Sequence, residues 1–285
     1  MLRDIPWSEI TRYLEDLKRR RPPLAPLLEF HERVLEQVHQ APVLEKPLQQ
    51  REGQLQHRNS QGLPLVDRRE FLAGLDLSSA QRLFSDLASL LKGKGEVEEK
   101  MEKVERWLEA EAPRFHTLIL EGLAEEDFLR EMAEREGLDS EVLAYLFRMS
   151  GRPGISEQAR RLAPFLEVDL WEEAYCPLCG SGPAFAELRG LEGKRYLYCS
   201  LCETPWPFRR LTCPFCGNEE PQELNYLYLE EDMRCLLQVC ERCKGYLKTI
   251  DNQKFSGLIP FLEDLGSLHL DLIAWERGYR RGWAS

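Results

Sequence analysis

Four Cys-x-x-Cys pairs within residues 176–243 constrain the fold of this chain more than any other feature of its sequence. The pairs are Cys176 and Cys179, Cys199 and Cys202, Cys213 and Cys216, and Cys240 and Cys243. Two residues between cysteines form a tight turn that directs both sulfurs at one tetrahedral metal ion. Together the pairs supply the eight thiolates that two four-cysteine sites require, so the sequence predicts two metal centres.

The pairs also form an internal repeat. Cys176-Pro-Leu-Cys-Gly180 returns as Cys213-Pro-Phe-Cys-Gly217, and each copy is followed by a plainer pair. Proline presets φ for the turn, and glycine adopts the positive φ that lets backbone N–H groups face the sulfurs. The repeat favours one site built from the first two pairs and another from the last two. An interleaved arrangement also satisfies the spacing.

The segments between the pairs have the pattern of short β-strands, with aromatic and β-branched residues and no helical period. The predicted strands cover residues 184–188, 194–198, 224–229, 234–239 and 245–250. Modules of about 40 residues bury too little apolar surface to fold alone, so each metal would replace a hydrophobic core. We therefore expect two tandem rubredoxin-like or zinc-ribbon modules, at residues 171–211 and 212–251.

The rest of the chain has helical periodicity. Apolar residues such as Ile10, Leu14 and Leu17 recur at helical spacing through residues 1–170, which contain no cysteine. Residues 151–154, Gly-Arg-Pro-Gly, are expected to separate two of these helices. A last stripe runs through Leu262, Leu265, Leu268, Leu272 and Trp275. The predicted class is multidomain α+β: an all-α N-terminal domain at 1–170, the two small-β modules, and a C-terminal helix within 252–285.

The charge of the chain disfavours nucleic-acid binding, a common use of zinc ribbons. The formal net charge is -11, and residues 176–250 carry nine Lys or Arg against ten Asp or Glu. A ribbon that binds nucleic acid usually has a basic stripe facing the phosphates. The local basic residues Lys194, Arg195, Arg209 and Arg210 are more simply interpreted as a solvated loop.

Membrane insertion and secretion are also disfavoured. The sequence has no run of eighteen apolar residues, and its first twenty residues form a charged amphipathic pattern without a signal-peptide core. We therefore expect a cytoplasmic protein. The reducing conditions there favour metal ligation by the cysteines over disulfides.

Catalytic motifs are missing from the sequence. It has no Gly-rich phosphate loop, Gly-x-Ser-x-Gly, His-Glu-x-x-His or dinucleotide fingerprint. A site with four protein thiolates has no open position for water or substrate. Such a site holds structure or, with iron, transfers one electron. The sequence therefore predicts a protein that is not an enzyme.

Beyond the pairs themselves, several neighbouring residues carry a resemblance to a known family. They are the run from Arg195-Tyr-Leu-Tyr-Cys199 to Glu203-Thr-Pro-Trp206, the run Cys240-Glu-Arg-Cys-Lys-Gly-Tyr-Leu-Lys248, and the tail from Asp264 to Tyr279. With the order of all four pairs, residues 171–280 resemble the FdhE-type formate dehydrogenase accessory proteins. The resemblance implies a cytoplasmic factor that binds the catalytic subunit of formate dehydrogenase and is needed for its activity. It also implies rubredoxin-type iron, or competing zinc, at the cysteines.

Three residues need separate interpretation. Tyr198 stands where the family often has histidine, and Cys235 lies outside the family's cysteine pattern. Strand alternation places Cys235 on one face with Val239, which predicts a packed thiol. Trp206, in the segment 202–208 between the modules, is the candidate anchor for a partner, with packing between the modules as the alternative.

Two functional classes compete with the maturation factor. One is a zinc-ribbon protein that binds nucleic acid, and the other is a rubredoxin-like electron carrier with an added helical domain. The negative charge of the chain disfavours nucleic-acid binding. An electron carrier would not require the large helical domain.

Overall fold

The computed structural model describes residues 2–44, 52–55, 58–92, 96–229 and 232–282. It confirms the predicted class, since helices come first, then a β-rich region with two four-cysteine clusters, then C-terminal helices. Tertiary contacts divide the chain into two compact units. The first contains Met1–Leu28, Arg51–Asp67 and Leu162–Ser285, and the second contains Glu29–Gln50 and Arg68–Arg161. The predicted boundaries at 170, 211 and 251 concern independently folding segments and stay a prediction.

Helices make up most of the chain before the cysteines. They are α1 Trp7–Arg20, α2 Ala25–Gln40, α3 Glu52–Leu55, α4 Arg68–Ala73, α5 Ala80–Leu91, α6 Glu96–Glu111, α7 Phe115–Ala124, α8 Glu126–Glu136, α9 Ser140–Leu162, α10 Pro260–Gly266 and α11 Leu268–Glu276. In α1 the predicted stripe of Ile10, Leu14 and Leu17 is fully buried. Among the described residues, no helix has the length and apolar character needed to cross a bilayer.

The second unit has an aromatic core. Phe84 of α5, Trp107 of α6, Phe115 of α7 and Phe147 of α9 meet with ring centroids 5.4 to 6.2 Å apart. Their interplanar angles run from 49° to 81°, which includes the edge-to-face geometry that aromatic pairs favour. Four helices of this unit are therefore joined by one cluster.

Helix α9 corrects the prediction of a break at residues 151–154. The helix continues through Pro153, although proline lacks an N–H and usually interrupts a helix interior. Gly154 shows how tertiary packing outweighs the helix-breaking tendency of these residues. A Cβ atom on Gly154 would lie 2.2 Å from the carbonyl oxygen of Asp76, so the glycine lets another backbone segment approach the helix. Gly154, one of the two glycines that predicted a break, thus allows close contact with another backbone segment.

We expect Gly154→Ala to destabilise the second unit by about 1–3 kcal/mol, because the added methyl group overlaps a backbone atom that cannot rotate away. Gly151→Ala is the matched control in the same helix. Its Cβ would lie 3.0 Å from a flexible Leu123 methyl group, and alanine favours the helix. Urea unfolding of both variants measures the difference. Equal stability of the two variants would contradict the close approach at Asp76.

One sheet in the first unit contains strands from both cysteine modules. Its strands are β1 Pro183–Arg189, β2 Lys194–Cys199, β3 Pro205–Pro207, β4 Leu224–Leu229, β5 Asp232–Cys240, β6 Gly245–Asp251 and β7 Arg280–Arg281. The order is β3-β2-β1-β6-β5-β4, with β7 pairing with β6. Neighbours within each module are antiparallel, whereas β1 and β6 pair in parallel and join the two modules.

The C-terminal segment corrects the prediction of one helix, because α10 ends at Gly266 and α11 begins at Leu268. The break between the helices, at the buried Ser267, turns α11 so that the apolar residues at helical spacing no longer all face the core. In α11 Leu270 and Ala274 are therefore buried, while Leu272 and Trp275 are 63% and 74% exposed.

Ion pairs connect these two helices to the sheet. The fully buried Lys248 of β6 lies 3.0 Å from Asp264 of α10 and 2.6 Å from Asp271 of α11. The Tyr246 hydroxyl also donates a hydrogen bond to Asp271. Burying the Lys248 ammonium is feasible because both carboxylates compensate its charge. Residues after the second module therefore fold back on its last strand.

Candidate metal centres

The first pair of each module forms the same backbone turn. The Gly180 N–H donates to the Cys176 carbonyl at 2.9 Å, and the Gly217 N–H donates to the Cys213 carbonyl at 3.0 Å. The two glycines have φ of 74° and 68°, a conformation in which a side chain would be strained. The sequence repeat is thus a repeat of local structure, and it aims both sulfurs of a pair in one direction.

The plainer pairs reach this geometry without glycine. Glu203 and Lys244 follow them with φ of 60° and 57°, the only positive values at non-glycine residues in the described chain. Their N–H groups donate to the carbonyls of Cys199 and Cys240. A left-handed residue outside glycine is uncommon and indicates that surrounding contacts hold the turn in place.

The structure brings the eight paired cysteines into two groups of four in the tandem arrangement. The first cluster is Cys176, Cys179, Cys199 and Cys202, and the second cluster is Cys213, Cys216, Cys240 and Cys243. The short sulfur–sulfur contacts are 3.5 to 3.6 Å in the first cluster and 3.7 Å in the second, and all four sulfurs of each cluster lie within 4.8 Å of one another. A tetrahedral ion with metal–sulfur bonds of about 2.3 Å requires sulfur–sulfur edges of about 3.8 Å. Both clusters therefore fit a four-coordinate metal ion.

Hydrogen-bond donors face the sulfurs of the first cluster. The Leu178 N–H lies 3.4 Å from Cys176 Sγ, and the Leu201 N–H lies 3.3 Å from Cys199 Sγ. The Thr204 hydroxyl is 3.1 Å from Cys202 Sγ. Such donors stabilise the negative charge that thiolates carry around a metal.

The second cluster has an equivalent set of donors. The Gly245 N–H lies 3.4 Å from Cys243 Sγ, and the buried Asn218 amide lies 3.6 Å from Cys240 Sγ. Burial opposes ionisation of Cys240, but the amides of Cys243 and Arg242 and the Asn218 side chain outweigh it and lower its pKa to about 7. Since the thiolate is the metal-binding form, these donors prepare Cys240 for ligation.

The burial of the first cluster favours a bound cation. Burial raises the pKa of Cys176 well above that of a free thiol, because the thiolate loses its contact with water. Four sulfurs at these distances in a buried site can all be ionised only if a positive ion compensates them. The donor set and its surroundings thus suit a divalent or trivalent metal.

The basic residues near the cysteines do not form a phosphate-binding stripe. Arg195 is buried and donates to Gln238 Oε1 and to the Thr212 carbonyl, which joins β2 to β5 and to the loop before the second cluster. Arg209 pairs with Glu219 at 2.7 Å. Both arginines are engaged within the unit, and the burial of Arg195 in β2 corrects the interpretation of these basic residues as a solvated loop.

The surroundings of Trp206 favour packing, the alternative to its predicted role as an anchor for a partner. Its side chain is fully buried in β3, and its indole N–H donates to the Glu173 carbonyl at 3.1 Å. Trp206 lies opposite Leu197 in the neighbouring strand. In this structure the ring offers no exposed surface to another protein, and its role as a partner anchor stays a prediction.

Cys235 and Tyr198 both have structural surroundings. Cys235 is 1% exposed in the same hydrophobic cluster as Leu237 and Val239, and burial raises its pKa to about 12. The Tyr198 hydroxyl donates to Glu187, and its ring stacks on Phe185 at 4.7 Å. Neither side chain belongs to the two clusters.

Sequence reasoning missed the residues around the clusters. Residues 58–66, named here the cover segment, hydrogen-bond to the turn of the first cluster through Asn59, Leu65 and Val66. No motif in that segment indicates such a role, because more than a hundred residues separate it from Cys176. Asn218 had a weak signal, since it directly follows the repeated Cys-Pro-x-Cys-Gly turn.

Comparison with known proteins identifies relatives of the cysteine region. Residues 175–210 match the family domain described as "FdhE, central domain", and residues 211–284 match "FdhE, C-terminal domain". The chain is 40% identical over 116 residues to the protein FdhE homolog of Aquifex aeolicus, which is 40% of this chain and 41% of that protein. It is 32% identical to the homolog of Edwardsiella ictaluri over 189 residues, which is 61% of this chain and 59% of that protein. The matched region thus spans about half the length of these relatives.

A solved structure supports the fold over nearly the whole chain. The crystal structure of the FdhE protein from Pseudomonas aeruginosa superposes with a TM-score of 0.69 and covers 98% of this chain and 93% of that chain. The two sequences are 22% identical, so this likeness concerns the fold. The resemblance predicted from the cysteine pattern is confirmed.

Proposed function

We propose that this chain, whose residues 175–284 belong to the FdhE family, is a cytoplasmic accessory factor that carries a metal ion in each four-cysteine cluster. The observation that supports metal binding most directly is the grouping of four sulfurs within 4.8 Å of one another in each cluster, with the short contacts at 3.5 to 3.7 Å. The family resemblance implies that the partner is the catalytic subunit of formate dehydrogenase and that the factor acts in its maturation.

Iron and zinc are both suited to these sites, since each accepts four thiolates in a tetrahedron. Zinc would stabilise the fold of each module, and rubredoxin-type iron would add a one-electron couple. The residues of the chain hold the sulfurs in place through the turns at Gly180 and Gly217 and neutralise part of their charge through N–H donors.

The geometry of the clusters supports a binding role in place of catalysis. All four positions of a tetrahedral ion would be filled by cysteines, so no position is left for water or substrate. The chain would then contribute to formate oxidation by acting on the enzyme that performs it.

We expect the chain, purified anaerobically from its native cells with a tag, to bring along the catalytic subunit of formate dehydrogenase and about two metal ions per chain. The chain alone should not oxidise formate. Mass spectrometry identifies the partner, elemental analysis counts the metals, and a dye-linked assay measures formate oxidation. An unrelated tagged protein with two four-cysteine sites is the control for nonspecific recovery.

Other results would overturn the proposal. Normal formate dehydrogenase activity in cells that lack this protein and any redundant homologue would exclude the maturation role. Retention on DNA that falls with rising salt would favour the nucleic-acid alternative. Rapid reversible reduction by a physiological donor, without any partner subunit, would favour the electron carrier.

A further inference from the structure

The two clusters share their turns and donors but differ in access to solvent. All four cysteines of the first cluster are buried. In the second cluster Cys213 and Cys240 are buried, Cys243 is partly exposed and Cys216 is exposed. The repeat therefore places the most exposed cysteine of the second cluster, Cys216, at the position that Cys179 occupies in the first.

The cover segment is hydrogen-bonded to the turn that carries Cys176 and Cys179. Its Leu65 N–H donates to the Pro177 carbonyl at 2.8 Å, and its Val66 N–H donates to the Leu178 carbonyl at 3.1 Å. The Asn59 amide adds a hydrogen bond of 2.9 Å to the same Pro177 carbonyl. These bonds satisfy the backbone of the turn that carries Cys176 and Cys179.

The glycines of the two turns give a direct comparison. A Cβ atom on Gly180 would lie 3.5 Å from Pro64 of the cover segment. On Gly217 it would meet no atom of the described chain within 4 Å, apart from its own chain neighbours. The first turn is thus covered, and the equivalent turn of the second cluster is open.

The other turn of each cluster has a contact of its own. The Leu2 N–H lies 3.2 Å from Glu203 in the first cluster, and the Arg280 N–H donates to the Lys244 carbonyl in the second. Access to the second cluster is therefore greatest at the turn that carries Cys216.

We propose that the second cluster is an exchange centre, which takes up and releases its ion through Cys216 by ligand exchange with an external thiolate, while the first cluster retains its ion. The proposal rests on the metal loading proposed above. In the exchange, the bond between the ion and Cys216 Sγ breaks as a bond to the incoming thiolate sulfur forms. The same exchange at Cys213, Cys240 and Cys243 would complete the transfer of the ion to external thiolates, and each freed cysteine thiolate takes up a proton, so that no atom is oxidised or reduced.

The difference in burial should make the ion of the second cluster leave faster than the ion of the first cluster. Cys216 is exposed in the folded protein, whereas Cys179 is buried in a turn to which the cover segment is hydrogen-bonded, so we expect a ligand to reach it only after local opening. Local opening of a hydrogen-bonded segment has an unfavourable equilibrium, which slows any reaction that depends on it. The ion of the first cluster should therefore leave at least about ten times more slowly.

Chelator competition on the whole zinc-loaded chain tests this proposal. An anaerobic solution receives excess dithiothreitol together with a coloured zinc indicator. We expect one equivalent to be released in a fast phase and one in a slow phase. Cys216→Ser should lose the fast phase and keep the slow one, and Asn59→Ala should accelerate only the slow phase.

Thiol labelling gives a second measurement that does not depend on any variant. Brief treatment of the zinc-loaded chain with N-ethylmaleimide, followed by peptide mapping, should modify Cys216 well before Cys179. Two ions released at one rate, or equal labelling of the two cysteines, would overturn the difference between the clusters. A metal content far below two ions per chain, measured before the chelator is added, would instead overturn the metal loading and this proposal with it.

Discussion

Cys179→Ser is expected to remove the metal ion from the first cluster and to unfold the β1–β2 hairpin. The apparent binding free energy of a structural zinc ion in small modules is about 10–16 kcal/mol at neutral pH, most of which is folding free energy. Loss of one of the four thiolate ligands removes much of this binding free energy. The remaining three cysteines are buried and would then lack a compensating charge. Elemental analysis of the purified variant and its thermal unfolding measure the two effects.

Cys216→Ser is the matched counterpart in the second cluster. It should remove only the second ion and lower the unfolding temperature less, since its site is more exposed and neighbouring waters can solvate freed sulfurs. Each variant should keep the ion of the other cluster, because the two ligand sets do not overlap. The helices of the second unit should survive chelation, as they contain no ligand. Loss of both ions from either single variant would contradict two self-contained centres.

The strands of the cysteine modules were predictable because their determinants are local. Five strands were expected from alternation and turn residues, and β1, β2, β4, β5 and β6 begin and end within two residues of those expectations. The short β3 was missed, since the three residues Pro205–Pro207 are too few to show alternation and prolines rarely indicate a strand.

The long-range features were not predictable in the same way. The parallel pairing of β1 with β6 joins Phe185 to Lys248, 63 positions apart in the sequence, and no turn specifies it. The cover segment likewise meets the first cluster through backbone carbonyls, which every sequence has. Such contacts depend on tertiary packing and leave no periodic signal in one sequence.

Two errors came from interpreting residue types by their average behaviour. Pro153 and its flanking glycines usually end a helix, yet α9 continues because Gly154 allows contact with the Asp76 carbonyl. The stripe after residue 259 looked continuous, yet the break at Ser267 rotates α11 so that Trp275 is exposed. The prediction of Trp206 as an anchor rests on the same kind of average, since tryptophan is common at binding interfaces, and it stays a prediction.

The two tryptophans of opposite burial provide the last test. Trp206 is fully buried and Trp275 is 74% exposed. We expect Trp206→Ala to destabilise the first unit by about 3–5 kcal/mol, because it removes a buried ring and leaves a cavity. It also removes the donor to the Glu173 carbonyl. Trp275→Ala, the control, should change the stability by at most about 0.5 kcal/mol.

Thermal unfolding of the metal-loaded chain measures this difference. A loss of 3–5 kcal/mol corresponds to a fall of about 10 °C in the unfolding midpoint of a unit of this size. Below that midpoint, Trp206→Ala should still recover the catalytic subunit, because the ring has no surface to offer a partner. Wild-type stability combined with lost partner recovery would show that Trp206 reaches the partner in another conformation, and its burial would then not decide its role.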